Sequence, residues 1–356
     1  MPASAAGADP APRLGRMSEQ STSPTGTAPT LAEVLETVEQ LWPLRLQEPW
    51  DASGLVTGRP DRPVRRILFA VDPVADVVAE AVATGADLLV THHPLFLRGV
   101  TSVAADGFKG AVVHELIEHR CALLACHTNA DSAPDGVSDA VARAAGLTAT
   151  TPLAPHPADP AVGIGRVGDL ARPVRLRELA RRLADAVPPT AHGVRVAGDP
   201  DALVRRVAVC GGAGDSLFDE VRAAGADVYV TADLRHHPAS EAREAARGPG
   251  AGGTPYLVDL SHFASEWLWL PVGAAALREA LAGRGHDVQV AVSALRSDPW
   301  DFRIDHDRPE HDSRGPDRPG PDGSGHDDRG PDRTDHGRPG RRFAADPGAP
   351  TAGGPA

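Results

Sequence analysis

Apolar residues recur along this chain in two rhythms. Leu31, Val34, Leu35, Val38 and Leu41 follow helical spacing, and Thr30 with Glu33 just before them makes a capping-box sequence. Residues 67–71 form a short apolar run of strand character. Beyond it the pattern predicts a helix over 74–83 closed by Gly85 and a strand over 88–91. A helix over 111–119, a strand over 122–126 and a helix over 137–145 closed by Gly146 follow. Strands alternating with helices predict an α/β fold with mainly parallel pairing.

The pattern also repeats. Shifted by 140 residues, Val64-Arg65-Arg66 falls on Val204-Arg205-Arg206, and Gly85-Ala86-Asp87 on Gly225-Ala226-Asp227. Across positions 64–91, 10 of 28 residues are identical without a gap, far above chance, so two related α/β lobes are expected, facing each other about a pseudo-twofold. Lobe one covers 30–150 and lobe two 151–297. The copies differ where chemistry would sit. Lobe one ends its repeat in Thr91-His92-His93-Pro94, lobe two in Thr231-Ala232-Asp233. The fold therefore does not need the histidine pair.

Composition narrows the picture. The chain has 37 Gly and 34 Pro, and their excess gathers at its ends, so residues 1–29 and the mixed-charge stretch 298–356 are expected to be disordered tails. Met17 is a second candidate start. A net charge of −12 speaks against a general nucleic-acid binder, and three cysteines among 356 residues speak against a disulfide scaffold and for a cytoplasmic protein. Cys121, Cys126 and Cys210 lie in or beside apolar strands and read as core residues. The most apolar stretch, 267–277, is interrupted by Pro271, and no secretory signal opens the chain, so no membrane span is expected.

Three strand ends carry metal-binding side chains. His92 and His93 follow the second strand, where Pro94 turns the chain and lets both imidazoles face one crevice. His127 and Asp131 follow the third strand, on a loop. Ser261 reads as the N-cap of a helix opened by His262, which puts His262 and Glu266 at i and i+4 on one face. His92, His93, Asp131, His262 and Glu266 exceed the needs of one tetrahedral ion. With a bridging carboxylate they suit two ions, and four of them would close a single zinc site.

Trp50-Asp51-Ala52-Ser53-Gly54-Leu55, Thr91 to Leu95, Gly163 to Gly168, Thr231-Ala232-Asp233 and Asp259 to Glu266 together resemble the NGG-interacting-factor-three-like family, also called GTP cyclohydrolase I type 2 homologues. The resemblance spans about residues 31–295. It implies two α/β lobes around a dinuclear metal site in a toroidal homohexamer. Carried over by position, it implies His92, His93, Asp131, His262 and Glu266 as metal ligands, with Glu266 bridging. Ala130 and Ala232 depart from the family pattern but are not ligands.

Two glycine-rich stretches remain. Gly163-x-Gly165-x-x-Gly168 fits a dinucleotide fingerprint, but Pro173 separates it from the next predicted helix, so a glycine-rich strand is expected instead. Gly211 to Ser216, between a strand and a helix, offers backbone N–H groups that would cradle an anion or simply make a tight turn. The functional expectation is a hydrolase using two divalent ions (Zn, Fe, Mn, Ni or Co), with His127 relaying protons, acting on a small molecule such as a nucleotide. The alternative is a non-catalytic metal-binding or adaptor hexamer.

Overall fold

The computed structural model describes residues 27–250 and 252–304, which belong to one compact unit. The remainder of both expected tails, with His306, His311, His326 and His336, lies outside the described residues. The described part reaches into the expected tails at both ends. Thr27 bridges to His286, and Asp298 is buried and accepts a hydrogen bond from Ser261 Oγ. A side-chain partner is what lets these polar residues order.

The first sheet contains β1 (Gly54–Thr57), β2 (Arg66–Ala70), β3 (Leu88–Thr91) and β4 (Ala122–Ala125). The second contains β5 (Leu147–His156), β6 (Asp159–Arg175), β7 (Arg195–Ala197), β8 (Leu203–Ala213), β9 (Val228–Ala232) and β10 (Tyr256–Leu260). The last strand, β11 (Gln289–Val292), leaves the second sheet's segment and pairs parallel with β2. The strand orders are β1-β4-β3-β2-β11 and β5-β6-β8-β9-β10-β7. Parallel pairs make the centre of each sheet, and antiparallel β1 and β7 close one edge of each. The α/β expectation therefore holds as a mixed α/β fold with two sheets.

Helices cover the sheet faces: α1 (Leu31–Leu41), α2 (Ala75–Thr84), α3 (Phe108–Glu118), α4 (Thr128–Ser132), α5 (Val137–Ala145), α6 (Leu176–Ala186), α7 (Phe218–Ala223), α8 (His236–Arg247), α9 (His262–Trp267) and α10 (Leu270–Gly283). The α1 capping box forms as its sequence predicts: Thr30 N–H donates to Glu33 (2.7 Å), and Glu33 N–H to Thr30 Oγ1 (3.3 Å). Alternation along the first sheet splits its core. Ile67, Phe69, Leu88, Val90 and Leu124 pack with α1 and α10 around fully buried Trp269, whereas Leu68, Leu89 and Leu123 pack under α2 and α3. Each fully buried Leu or Phe here contributes about 1.5–3 kcal/mol.

The two strand–helix–strand units carry the same contacts 140 residues apart. Asp87 accepts from the N–H groups of Arg65 and Arg66, and Asp227 from those of Arg205 and Arg206. Ile67 pairs with Leu88 as Val207 pairs with Val228.

The Gly163–Gly168 stretch runs inside β6, and α6 begins only at Leu176, so no helix follows to receive a pyrophosphate. Its function is structural. Gly163 and Gly165 adopt positive φ (147° and 68°) and turn their carbonyls onto Arg166, which accept at 2.6 and 2.8 Å. Arg166 is buried, forks onto both oxygens of Asp139 in α5 (2.7 and 2.8 Å), and donates to Ala133 O (3.0 Å).

Candidate metal centre

The carboxyl ends of β3, β4 and β10 converge. Past β3, the N–H groups of His92 and His93 still pair with Ala70 and Val71, so strand pairing carries both histidines to the rim. His92 is fully buried and His93 half-buried. Past β4, His127 is the residue before α4, and that short helix, expected as a loop, carries half-buried Asp131. Past β10, Ser261 caps α9 by accepting from Ala264 N–H (3.4 Å), and α9 presents His262 and Glu266 one turn apart, as the sequence predicts.

Glu266 sits at the centre. Its Oε1 lies 2.9 Å from His262 Nε2 and 3.4 Å from His92 Nε2, and its Oε2 lies 3.0 Å from His93 Nε2. His93 Nε2 and His262 Nε2 stand 3.2 Å apart. The atoms that could ligate a metal form two overlapping groups, His92 with His93 and His127, and His93 with His262 and Glu266. Asp131 Oδ1 lies 3.9 Å from His92 Nε2, at the edge of the first group.

Every histidine is gripped from behind. Nδ1 of His92 faces Cys126 O (2.9 Å), of His93 Asp72 (2.6 Å), of His127 Asp51 (2.7 Å) and of His262 Asp233 (2.8 Å). These acceptors have no proton to give, so each Nδ1 carries one and Nε2 is the atom offered inward. Paired acceptor, imidazole and inward nitrogen are the arrangement that orients histidine on a metal.

The fit to a cation rests on three buried atoms. Among the described residues, His92 Nε2, Asp131 Oδ1 and Glu266 Oε2 find no hydrogen-bond partner. Such orphans cost about 1–3 kcal/mol each. A divalent cation would satisfy all three, and mixed imidazole and carboxylate donors suit Zn, Fe, Mn, Ni or Co.

The charges are strongly coupled. Burial pushes the Glu266 carboxyl up, but His262, His93 and His92 outweigh it and hold it well below the usual carboxylate range. In return Glu266, against burial and with Asp233, raises His262 to about 11. Burial lowers His93, but Glu266 and Asp72 raise it to about 10. His92 is also raised, by Glu266 and Asp131 against burial. Burial lifts Asp131 above its ordinary value, with His92 and His127 opposing. Asp51 goes the other way, because hydrogen bonds from His127 and Thr128 overcome its burial.

The orienting carboxylates Asp51, Asp72 and Asp233 are the residues that sequence reasoning missed as site residues. Asp51 and Asp233 lay within the motifs that carried the family resemblance, whereas Asp72 had no signal of its own. The Gly211–Ser216 turn is no open cradle. Gly211 N–H already meets Ser138 Oγ (3.4 Å) and Gly212 N–H meets Ser265 Oγ (2.9 Å). Gly212 serves by its smallness: a Cβ there would stand 2.5 Å from Glu266 Oε1. All three cysteines are buried, and burial pushes each thiol up to about 12, as befits core residues.

A cavity of about 460 Å³ opens on the centre, lined by Trp50, His127, Asp131, His262 and Glu266 among others. It is of small-molecule size, and its lining has no lysine or arginine. Among the described residues, no helix is long and apolar enough to cross a membrane.

Residues 29–299 match the family described as Duf34/NIF3 (NGG1p interacting factor 3). A GTP cyclohydrolase 1 type 2 homolog of Streptomyces coelicolor is 56% identical over 278 residues, covering 78% of this chain and 95% of the relative. A protein of the same name from Mycobacterium tuberculosis is 36% identical, covering 78% and 97%. Among solved structures, a Bacillus cereus protein related to NIF3 shares the fold, with a TM-score of 0.69 at 24% identity, covering 78% of this chain and all of that one.

Proposed function

This chain belongs to the Duf34/NIF3 family, and from that premise we propose that it is a metal-dependent hydrolase of small cyclic substrates. The observation that carries the proposal is the convergence of imidazole Nε2 atoms on Glu266, each imidazole held by an acceptor at Nδ1, with three buried ligand atoms lacking any other partner. In this reading His92, His93, Asp131, His262 and Glu266 would hold two divalent ions. When bound, such ions supply Lewis acidity toward a substrate oxygen and lower the pKa of water.

The chain's own residues supply the rest. His127 faces the cavity, and its Nδ1 proton is committed to Asp51, leaving Nε2 to take and return a proton. Trp50, edge-on to His127 with ring centroids 5.9 Å apart, gives an aromatic wall against which a flat ring can lie. The name of the relatives points to ring opening of a purine nucleotide. A lining without lysine or arginine suits the ring of such a substrate better than its triphosphate. The family resemblance extends the reading to a cytoplasmic homohexamer, which light scattering on the pure protein tests for assembly.

The decisive experiment is to load the protein with Zn, Mn or Fe and screen nucleotides and cyclic amides for hydrolysis. The expected result is turnover that is lost in His127→Ala with metal content retained. Metal content near two per chain with no turnover of any cyclic substrate would favour a non-catalytic metal-binding role.

A further inference from the structure

A second cavity, of about 330 Å³, lies at the opposite end of the first sheet, where β3 and β4 begin. Arg59, Arg62 and Arg120 line it. None of the three guanidinium groups enters an ion pair or side-chain hydrogen bond with a described residue. The one carboxylate in the lining, Asp87, is committed: its Oδ2 accepts the N–H groups of Arg65 (2.7 Å) and Arg66 (3.0 Å). Arg120 is held at φ 60°, a left-handed backbone that a side chain of this size rarely adopts. Three cations without a charged partner among the described residues thus share one concavity with the single carboxylate Asp87, on a chain whose net charge is −12.

A second turn of the same geometry shows that the turn itself does not require Arg59 or Arg62. The turn from Arg59 to Arg62 closes by Arg62 N–H to Arg59 O, and the turn from Asp199 to Ala202 closes in the same way, both at 3.1 Å. Each turn receives the first two N–H groups of a helix: Leu31 and Ala32 bond to Arg62 and Pro60, Leu176 and Arg177 to Ala202 and Pro200. In the second copy Asp199 and Ala202 stand where the first has arginines. There Asp201 pairs with Arg175 (3.0 Å) and Arg177 (2.7 Å), so the charge balances internally. Among the described residues, the guanidinium groups of Arg59 and Arg62 stand without such partners.

We propose that this cavity is a binding site for a phosphate-bearing small molecule, distinct from the metal centre. Arginine matches phosphate oxygens in paired hydrogen bonds and gives up hydration more readily than lysine. Leu31 and Ile117 in the lining, the latter largely exposed, offer apolar contact to the organic part of such a ligand. The volume is at the small end of ligand pockets, which favours a compact metabolite over a polymer. The site and the metal centre lie at opposite ends of β3 and β4, about 13 Å of strand apart.

The test is calorimetric titration of the full-length protein with inorganic pyrophosphate, beside the double variant Arg62→Gln/Arg120→Gln. The expected result is saturable binding by the wild type that weakens with added salt and is reduced about tenfold or more in the variant. Metal content and melting temperature should match in both proteins. Absence of saturable binding would overturn the proposal. So would equal affinity in the variant, as binding at the metal centre would give, or tighter binding of a single-stranded oligonucleotide than of pyrophosphate.

Discussion

Replacing Arg166 with Met tests whether the glycine-rich stretch of β6 is built around one buried guanidinium. Met keeps most of the stem volume but loses every donor. The change abolishes the two bonds to Asp139 and those to Gly163, Gly165 and Ala133, and leaves the Asp139 carboxylate, 15% exposed, without its counter-charge and with only Gly136 N–H and Thr150 Oγ1 as donors. Removing one partner of a buried ion pair costs about 3–5 kcal/mol. For a folded unit of this size that lowers the melting temperature by roughly 6–20 °C. The loss should also reach the centre, because Ala133 follows the short helix that carries Asp131. Calorimetric melting in chelator isolates the structural term, since bound metal would add its own stabilisation. Arg166→Lys, keeping a charge but not the fork, should fall between Met and wild type. If Arg166→Met melts within about 2 °C of wild type, the ion pair is not a structural element and the reasoning fails.

Glu266→Gln should leave the purified protein with less than half the wild-type metal by elemental analysis, since Gln keeps the shape but not the charge. His127→Ala should keep its metal, and loss of an ion there would make His127 a ligand rather than a relay. Metal uptake should release protons near neutral pH, because His93 and His262 hold theirs up to about 10 and 11. Affinity should climb roughly tenfold per pH unit for each proton displaced, and calorimetry in two buffers of different ionisation enthalpy that found no proton release would contradict this. In chelator the sign reverses for stability. The folded chain binds these protons more tightly than the unfolded chain does, so melting temperature should fall as pH rises from the ordinary histidine value toward 10. Gly212→Ala should cost about 1–2 kcal/mol, from a strained φ of 67° and a Cβ pressed on Glu266, with a matching drop in metal content.

Much of the candidate centre could be read from residue order because its side chains come in short local pairs after strands. His92 with His93, and His262 with Glu266, each sit within one turn of backbone, so periodicity alone brought the members of each pair near one another. The helix over 137–145 was legible to the residue because Gly146, at φ 94°, supplies an unambiguous stop. Asp72 was invisible. Its relation to His93 spans 21 residues and arises only when β2 and β3 pair in register. The long hairpin of β5 and β6 was missed for a related reason: prolines at 152 and 155 weaken the strand signal, and only the neighbouring β8 makes the pairing worthwhile. The glycines of β6 and of 211–214 resembled ligand loops because glycine marks any close approach, and the approaching group proved to be the protein itself.

The return of β11 to β2 fixes an order of events during synthesis. The histidine pair leaves the ribosome early, but Glu266 and His262 follow roughly 10–30 s later at ordinary elongation rates. The first sheet gains its fifth strand only after residue 292 has emerged. A nascent chain therefore exposes imidazoles well before it owns the carboxylate that binds them into one centre. The His93, His262 and Glu266 cluster is therefore assembled only in chains translated nearly to the end of the fold.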